Sequence, residues 1–332
     1  MSVLIVTPDD YGAIRKTVRH LAAQTARDRL ELVIVAPSRE RLGAADSELR
    51  EFHSHRVVEV GEVVLMARAK MAGLRATSAP VVAFAEDHCF PSPTWAEALI
   101  ERHAGEWAAV GPAMRNANPA TMTSWAGIFL HYGCCMEPAS AGRAEHLPWH
   151  NIAYKRDLLL ARGEELRHLL AVEGVLLDEL RARGHALYFE TRAHTYHVQI
   201  TRLRSWVSHS FWGGRLFGAV RARRQRWTVW RRLLYVGGGP LIPLVKLRRT
   251  LPKIRRAGLA RRLLPRVLPA MVAGLVPHAI GEMVGYALGL GDAERRYSYF
   301  EMRRTRHVTE TDRRHIEAVD FFDADGGREV DG

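Results

Sequence analysis

The chain is poor in thiols and, over one long stretch, has no acids at all. Among 332 residues there are three cysteines, Cys89, Cys134 and Cys135. Three thiols cannot build a disulfide framework, and the absence of a Cys-x-x-Cys pair argues against structural zinc. Free thiols in a reducing cytoplasm are the expectation. The opening Met1-Ser2-Val3-Leu4-Ile5-Val6-Thr7-Pro8 lacks a basic n-region and a long apolar h-region, so it reads as a first strand rather than a signal peptide. No low-complexity repeat is present. No Asp or Glu occurs between Glu190 and Glu282, while Arg and Lys recur throughout, and the formal net charge is +12. A one-sign block of that length calls for an anionic partner surface, either nucleic acid or anionic lipid.

What is present is a globular composition. Hydrophobic residues make up 47% of the chain, enough for a sizeable core in one large or two ordinary domains. Short apolar runs at 2–7, 30–36, 56–60, 80–85, 107–111 and 185–190 read as strands. Helical spacing occupies 11–24, 39–52, 64–76 and 93–104. Strands alternating with helices predict crossover connections, a mainly parallel sheet and helices on both faces. Stretches 115–124 and 133–147 read as irregular loops, which in compact domains are often functional. Segment 202–232 is basic with Trp206, Phe211, Trp212, Phe217, Trp227 and Trp230 interleaved. Segment 263–290 is apolar and long enough to cross a bilayer, though prolines interrupt it.

The stretch 81–95 organises the rest. A buried-type strand ends in Glu86-Asp87-His88, followed by Pro91 and Pro93. The carboxyl end of a buried strand is where open α/β sheets hold ligands. Carboxylate and imidazole together suit a divalent cation. The plainer reading is a capped strand end with solvated charges.

Taken in order, these segments resemble a family 2 glycosyltransferase of the GT-A type, an inverting nucleotide-sugar transferase, over about residues 2–199. The resemblance implies a GT-A-type, Rossmann-like, mostly parallel sheet with helices on both faces. It places the donor beside Thr7, Pro8 and Asp9 after the first strand, Ser38 after the second, Arg68 in Ala67-Arg68, and Glu86 and Asp87. The family's Asp-x-Asp becomes Glu86-Asp87-His88 here, and Pro37 stands where the second strand usually carries an acid. Asp87, His88 and a closing His197 would hold the metal, Mn or Mg. Trp149, His150 and Asn151 fall in the acceptor-side segment, with Trp149 able to stack on a sugar. Arg68 and Lys155 are candidates to pair with phosphate. Glu173 is the expected catalytic base, with Asp178 as the other candidate, because Gly174 replaces the family's second acid. The apolar run 169–172 before Glu173 favours a raised pKa.

The expected organisation is a catalytic domain at 1–200, a basic and apolar helical membrane-associated region at 201–291, and a charged tail at 292–332 that loses order after about 315. The expected reaction is transfer of a sugar to a hydroxyl acceptor, lipid-linked or part of a cell-envelope glycan, at the cytoplasmic face of a membrane. A nucleotidyltransferase would need a Gly-rich basic loop after the first strand, and Thr7-Pro8-Asp9-Asp10-Tyr11-Gly12 is not one. A non-catalytic nucleotide-binding scaffold is the alternative that the altered Asp-x-Asp and Gly174 leave open. A nucleic-acid binder would show steeply salt-dependent binding; the apolar 263–290 segment favours the membrane instead.

Overall fold

A computed structural model describes residues 1–44, 46–256 and 260–318. Its strands are β1 (Ser2–Val6), β2 (Glu31–Ala36), β3 (Ser54–Glu59), β4 (Val81–Ala85), β5 (Cys89–Pro91), β6 (Ala109–Asn116), β7 (Gly142–Ala144), β8 (Ala153–Lys155) and β9 (Leu187–His197). They form one sheet in the order β3-β2-β1-β4-β8-β6-β9-β5, with β7 also on β9. β3, β2, β1 and β4 are parallel, joined by crossovers. Beyond β4 the sheet is mixed. β8 runs antiparallel to both β4 and β6, and β9 is parallel to β6 but antiparallel to β5 and β7. The mainly parallel expectation therefore describes the first four strands. It stops where β8 arrives from a long loop rather than from a crossover helix.

Both faces of the parallel half are covered, as runs such as Val3-Leu4-Ile5-Val6 require. Alternate residues point to opposite sides, so Val3 and Ile5 pack in one core and Leu4 and Val6 in the other. The Met66–Ala76 helix lies directly on the sheet at Gly73, where an added Cβ would fall 2.5 Å from Leu4 Cδ1 and Val35 Cγ2. That close approach delivers Lys70, on the same helix, to the interior.

Three elements depart from expectation. The 39–52 helix is two short pieces, Arg39–Leu42 and Asp46–Leu49, because Gly43 ends the first in a left-handed conformation (φ 60°). A helix, Met122–Tyr132, begins inside the 115–124 stretch read as loop; Thr121 caps it by accepting from the Ser124 amide. The late strand runs on to His197 rather than stopping at residue 190.

The C-terminal half is helical. Helices Leu203–Arg224 and Ala260–Leu288 run side by side in the same direction. Added Cβ atoms would meet the opposing backbone from Gly214 (2.1 Å to His278 O), Gly218 (2.6 Å to Glu282 O), Gly281 (2.0 Å to Phe211 O) and Gly285 (2.4 Å to Arg215 O). A parallel pair needs a return connection, which the Val229–Gly237 and Ile242–Arg256 helices provide. Residues Leu263–Leu288 are long and apolar enough to cross a membrane, with a mean hydropathy of 1.5. The same helix carries buried Glu282, 3.0 Å from Lys246 and 2.9 Å from His278. The charged segment from residue 292 is not a free tail as far as it is described. Helices Ala293–Glu301 and Glu310–Ala318 return to the sheet, where Val308 and Ile316 pack with Phe90, Ala117 and Val198. Residues 319–332, the part of the tail expected to lose order, lie outside the described residues.

Candidate active site

β1 and β4 are paired with Ile5 opposite Ala85, so the loops that follow them emerge side by side at the carboxyl edge of the sheet. β5 pairs with β9 with Cys89 opposite His197, which folds the end of β9 over the residues after β4. The result is a buried cluster. The ligating atoms of Glu86, His88, Cys89 and His197 lie within 4.8 Å of one another. Glu86 Oε2 is 3.3 Å from His197 Nε2 and 3.7 Å from His88 Nε2. Asn151, in a left-handed backbone conformation (φ 60°) that asparagine tolerates, grips Glu86 twice. Its Nδ2 donates to Oε2 at 3.0 Å, and its Oδ1 accepts from the Glu86 amide at 3.3 Å.

The electrostatics separate the two adjacent acids. Burial opposes the charge on Glu86, but His150, His88 and His197 outweigh it and hold that carboxyl well below the usual range. Burial, and then the Glu86 charge, pushes Asp87 well above its usual range. Burial also keeps the His88 and His197 imidazoles below theirs, which favours the neutral ligand form. Asp87 turns its carboxyl to His88 Nδ1 at 2.6 Å, so the acid that joins the two imidazoles is Glu86. Expected as both donor contact and metal ligand, Asp87 is instead the group behind one imidazole, an arrangement that typically orients a ligating histidine. His197 Nδ1 accepts from Gln199 Nε2 at 2.7 Å, and Gln199 Oε1 has no partner. Turning that amide over, an exchange of groups of nearly equal shape, would set its oxygen opposite Nδ1–H; Nε2 then accepts from the Tyr132 hydroxyl, 2.9 Å away, which a cation bound at that nitrogen would displace.

His150 links this cluster to a second acid. Its Nδ1 lies 3.4 Å from Glu86 Oε1 and 3.6 Å from Glu173 Oε1. Burial alone would lower its pKa, but the Glu86 and Glu173 charges more than offset that and raise it. Glu173, at the start of the Glu173–Ala182 helix, is buried and ion-paired with the equally buried Lys70. Its other oxygen, Oε2, has no hydrogen-bond partner. Glu173, His150 and Trp149 border one cavity of about 380 Å³, whose remaining wall includes Trp206, Lys246, Arg249 and Lys253 from the C-terminal half. Gly174 matters here: an added Cβ would sit 3.0 Å from the Trp149 indole. The absence of a side chain at Gly174 makes room for Trp149.

Other expected residues are placed differently. Thr7 and Pro8 are buried at the carboxyl end of β1, and Asp9 pairs with Arg306 at 2.8 Å and Arg303 at 3.4 Å. Ser38 caps the Arg39–Leu42 helix by accepting from the Arg41 amide. Arg68 is exposed on the Met66–Ala76 helix. Lys155 sits opposite Val81, at the end of β4 away from Glu86. Asp178 is exposed, 3.7 Å from Arg181. His194 pairs with Glu137 at 2.8 Å.

Sequence reasoning missed Glu301 and Arg304. Buried Glu301 reaches within 4.8 Å of the Glu86 and His150 ligating atoms, takes His209 Nε2 at 2.6 Å, and is ion-paired with buried Arg304. They lie in the charged segment set aside as a tail, and no local spacing marks them.

Residues 2–158 match the family described as "Glycosyl transferase family 2". No curated protein matches the sequence. Among solved structures, the mannosyltransferase PcManGT of Pyrobaculum calidifontis, in complex with GDP-Man and Mn2+, is 17% identical with a TM-score of 0.53. That match covers 85% of this chain and 86% of the other. TarS 1-349 of S. aureus with UDP is 11% identical, TM-score 0.45, covering 85% and 90%. GalNAc-T7 with UDP, GalNAc and Mn2+ is 14% identical, TM-score 0.46; the match covers 59% of this chain and 43% of GalNAc-T7. The match at 2–158 thus falls on the parallel β3-β2-β1-β4 half-sheet and the acids and histidines at its carboxyl edge, and this part of the chain is similar to family 2 glycosyltransferases.

Proposed function

We propose that this protein is a metal-dependent inverting glycosyltransferase that moves a sugar from a nucleotide-sugar donor to a hydroxyl of a lipid-linked acceptor at the cytoplasmic face of a membrane. The observation that carries the reading is Glu173. One of its oxygens is fixed by Lys70 and His150, and the other is buried, unpartnered and beside a cavity. A general base needs one oxygen oriented and the other free for the incoming proton.

Glu86, His88 and His197 fit a divalent cation. Their ligating atoms converge, and Glu86 Oε1 and His88 Nε2 are buried with no hydrogen-bond partner. Two imidazoles beside one carboxylate favour Mn²⁺ over Mg²⁺, which prefers oxygen. A cation bound there supplies Lewis acidity toward the leaving diphosphate. The chain's own residues do the rest. Asn151 and Asp87 fix the ligands' orientation. Thr7, Pro8 and Asp9 border the neighbouring strand end, where an α/β sheet receives a nucleotide. Trp149 offers an aromatic face beside Glu173 for the acceptor sugar, and Glu173 Oε2 takes the hydroxyl proton. The PcManGT structure holds GDP-Man and Mn2+, the ligand pair this reading calls for.

The membrane part of the proposal rests on the return connection. Trp230 is 81% exposed and Leu234 72%, with Leu241 and Leu244 also bare, among arginines and with no acid from residue 191 to 281. Apolar side chains beside basic ones suit an anionic bilayer interface. The Leu263–Leu288 helix packs Gly281 and Gly285 against the Leu203–Arg224 backbone and carries the buried Glu282, so we read it as part of the protein's interior rather than a span.

The test is Glu173→Gln, assayed with Mn²⁺ against a panel of nucleotide sugars. Turnover should fall by about 10²–10⁴-fold, the usual contribution of a general base, while calorimetric donor affinity is unchanged. Normal turnover in this variant refutes the base assignment. Donor binding that survives chelation of the metal refutes the cation site.

A further inference from the structure

The cavity beside Glu173 has a wall that the transfer reaction does not explain. It comes from the Ile242–Arg256 helix, whose Lys246, Arg249, Thr250 and Lys253 all border the cavity. Their spacing of i, i+3, i+4 and i+7 puts them on one helical face. Lys246 is balanced by Glu282 at 3.0 Å. Arg249 and Lys253 make no pair with a carboxylate among the described residues. Among the described residues the cavity's only lining carboxylate is Glu173, which is ion-paired with Lys70. Between lie apolar side chains, among them Leu130, Leu170, Phe217 and Leu275. The volume, about 380 Å³, is in the small-molecule range.

The other side of the same helix is bare: Leu244 is 65% exposed, with Leu241 just ahead of it and the exposed Arg248 one turn on, and Val245 on the flank is 43% exposed. One helix thus turns unbalanced cations to the cavity and hydrocarbon to the outside. A neutral sugar would use neither feature, and a free nucleotide would use only the first.

Resting on the transferase reading, we propose that this cavity is the acceptor site for a phosphate-bearing lipid, with Arg249 and Lys253 as its anion subsite. The reacting hydroxyl lies at Glu173 and Trp149. The phosphate or diphosphate next to it meets the guanidinium and ammonium groups, where charge-assisted hydrogen bonds are strongest. The hydrocarbon leaves past the exposed face of the helix toward the bilayer. The C-terminal half, which lies outside the family match at 2–158, is in this view the part that selects the acceptor.

The experiment is calorimetric titration of the full chain with Mn²⁺ present, using three probes: dodecyl phosphate below its micelle concentration, dodecanol and inorganic phosphate. UDP and GDP are titrated in parallel. Dodecyl phosphate should bind at least tenfold tighter than either other probe. Arg249→Gln/Lys253→Gln should lower its affinity about tenfold or more, leaving dodecanol and nucleotide binding unchanged, and Arg248→Gln on the bare face should have no effect. Equal binding of dodecanol and dodecyl phosphate overturns the anion subsite. Equal weakening by Arg248→Gln shows general surface charge and overturns it too. Either result with nucleotide binding intact removes this inference alone. A wild-type chain that binds neither UDP nor GDP with Mn²⁺ removes the transferase reading, and this inference with it.

Discussion

The Met66–Ala76 and Ile242–Arg256 helices both border the cavity beside Glu173, and they use their cations in opposite ways. Lys70 is 3% exposed at its side chain and locked to a carboxylate that is 1% exposed. Arg249 and Lys253 sit at the rim with no carboxylate to answer them among the described residues. A buried cation must be paired within the fold, because desolvating it alone is costly. A rim cation can wait for a partner, because water serves it meanwhile. On the proposed reading, the first arrangement fixes the base and the second offers a binding site. The contrast follows the family boundary: Lys70 lies inside the matched residues 2–158, and Arg249 and Lys253 lie outside them.

The sharpest way to break that comparison is to remove each cation and measure stability. Lys70→Met leaves Glu173 as an unanswered buried charge and should cost about 3–5 kcal/mol, the usual result of removing one partner of a buried pair. The double variant Lys70→Met/Glu173→Gln should recover most of that loss. Arg249→Met and Lys253→Met should each stay within about 0.5 kcal/mol of wild type, as surface substitutions do. Denaturant unfolding of all four variants decides. A large loss for Arg249→Met would make it a structural residue and erase the distinction.

The same boundary separates what could be read in the sequence from what could not. Strands β1, β2 and β4 and the helices on them are legible because their apolar runs are local and their periods clear. Glu86, His88 and His197 could be named because two follow one strand directly and the third closes another. Between Glu86 and Asp87 the sequence reading puts the metal on Asp87, whereas the ligating atoms that converge with those of His88 and His197 are those of Glu86. Both are acids at a strand end, and only in the fold does a ring of three histidines hold the first well below the usual carboxylate range, while burial and the Glu86 charge push the second above it. Lys70 could be placed on a helix, but its pairing with Glu173 spans 103 residues. Glu301 and Arg304 were invisible for a similar reason. They sit in a segment whose charge suggests solvent, and only the return of the Ala293–Glu301 helix buries them.

A second, smaller effect probes how firmly the two halves are built. The Leu203–Arg224 and Ala260–Leu288 helices touch through glycines, and an added Cβ at Gly281 would lie 2.0 Å from Phe211 O. Gly281→Ala should therefore destabilise by about 1–3 kcal/mol, as overpacking does. Gly237, in the last position of the Val229–Gly237 helix, would meet nothing within 4 Å. Gly237→Ala should be stabilising, by up to about 1 kcal/mol, since alanine loses less backbone entropy. Opposite signs in thermal unfolding would confirm that the crossing is tight while the return connection is open. The same sign at both positions would contradict it.

The smallest effect on the fold should come from the most exposed apolar residue, and there the two halves differ in partner rather than in stability. Trp95 of the sheet-bearing half is 1% exposed and belongs to its core, whereas Trp230 is 81% exposed. Burying Trp230 at a bilayer interface would gain free energy that folding does not supply. Trp230→Ser should thus leave thermal unfolding nearly unchanged. Its binding to vesicles of phosphatidylglycerol should weaken about tenfold, equivalent to about 1.4 kcal/mol. That is a partial share of what full burial of a large side chain provides, about 1.5–3 kcal/mol. Vesicles of phosphatidylcholine should bind the wild-type chain weakly, because the Arg-rich flanks then lack anionic headgroups to meet. Flotation on the two vesicle types reads both terms at once. Equal recovery of wild type and Trp230→Ser on anionic vesicles would mean that charge alone draws the protein to the surface. The exposed face of the return connection would then need a different occupant.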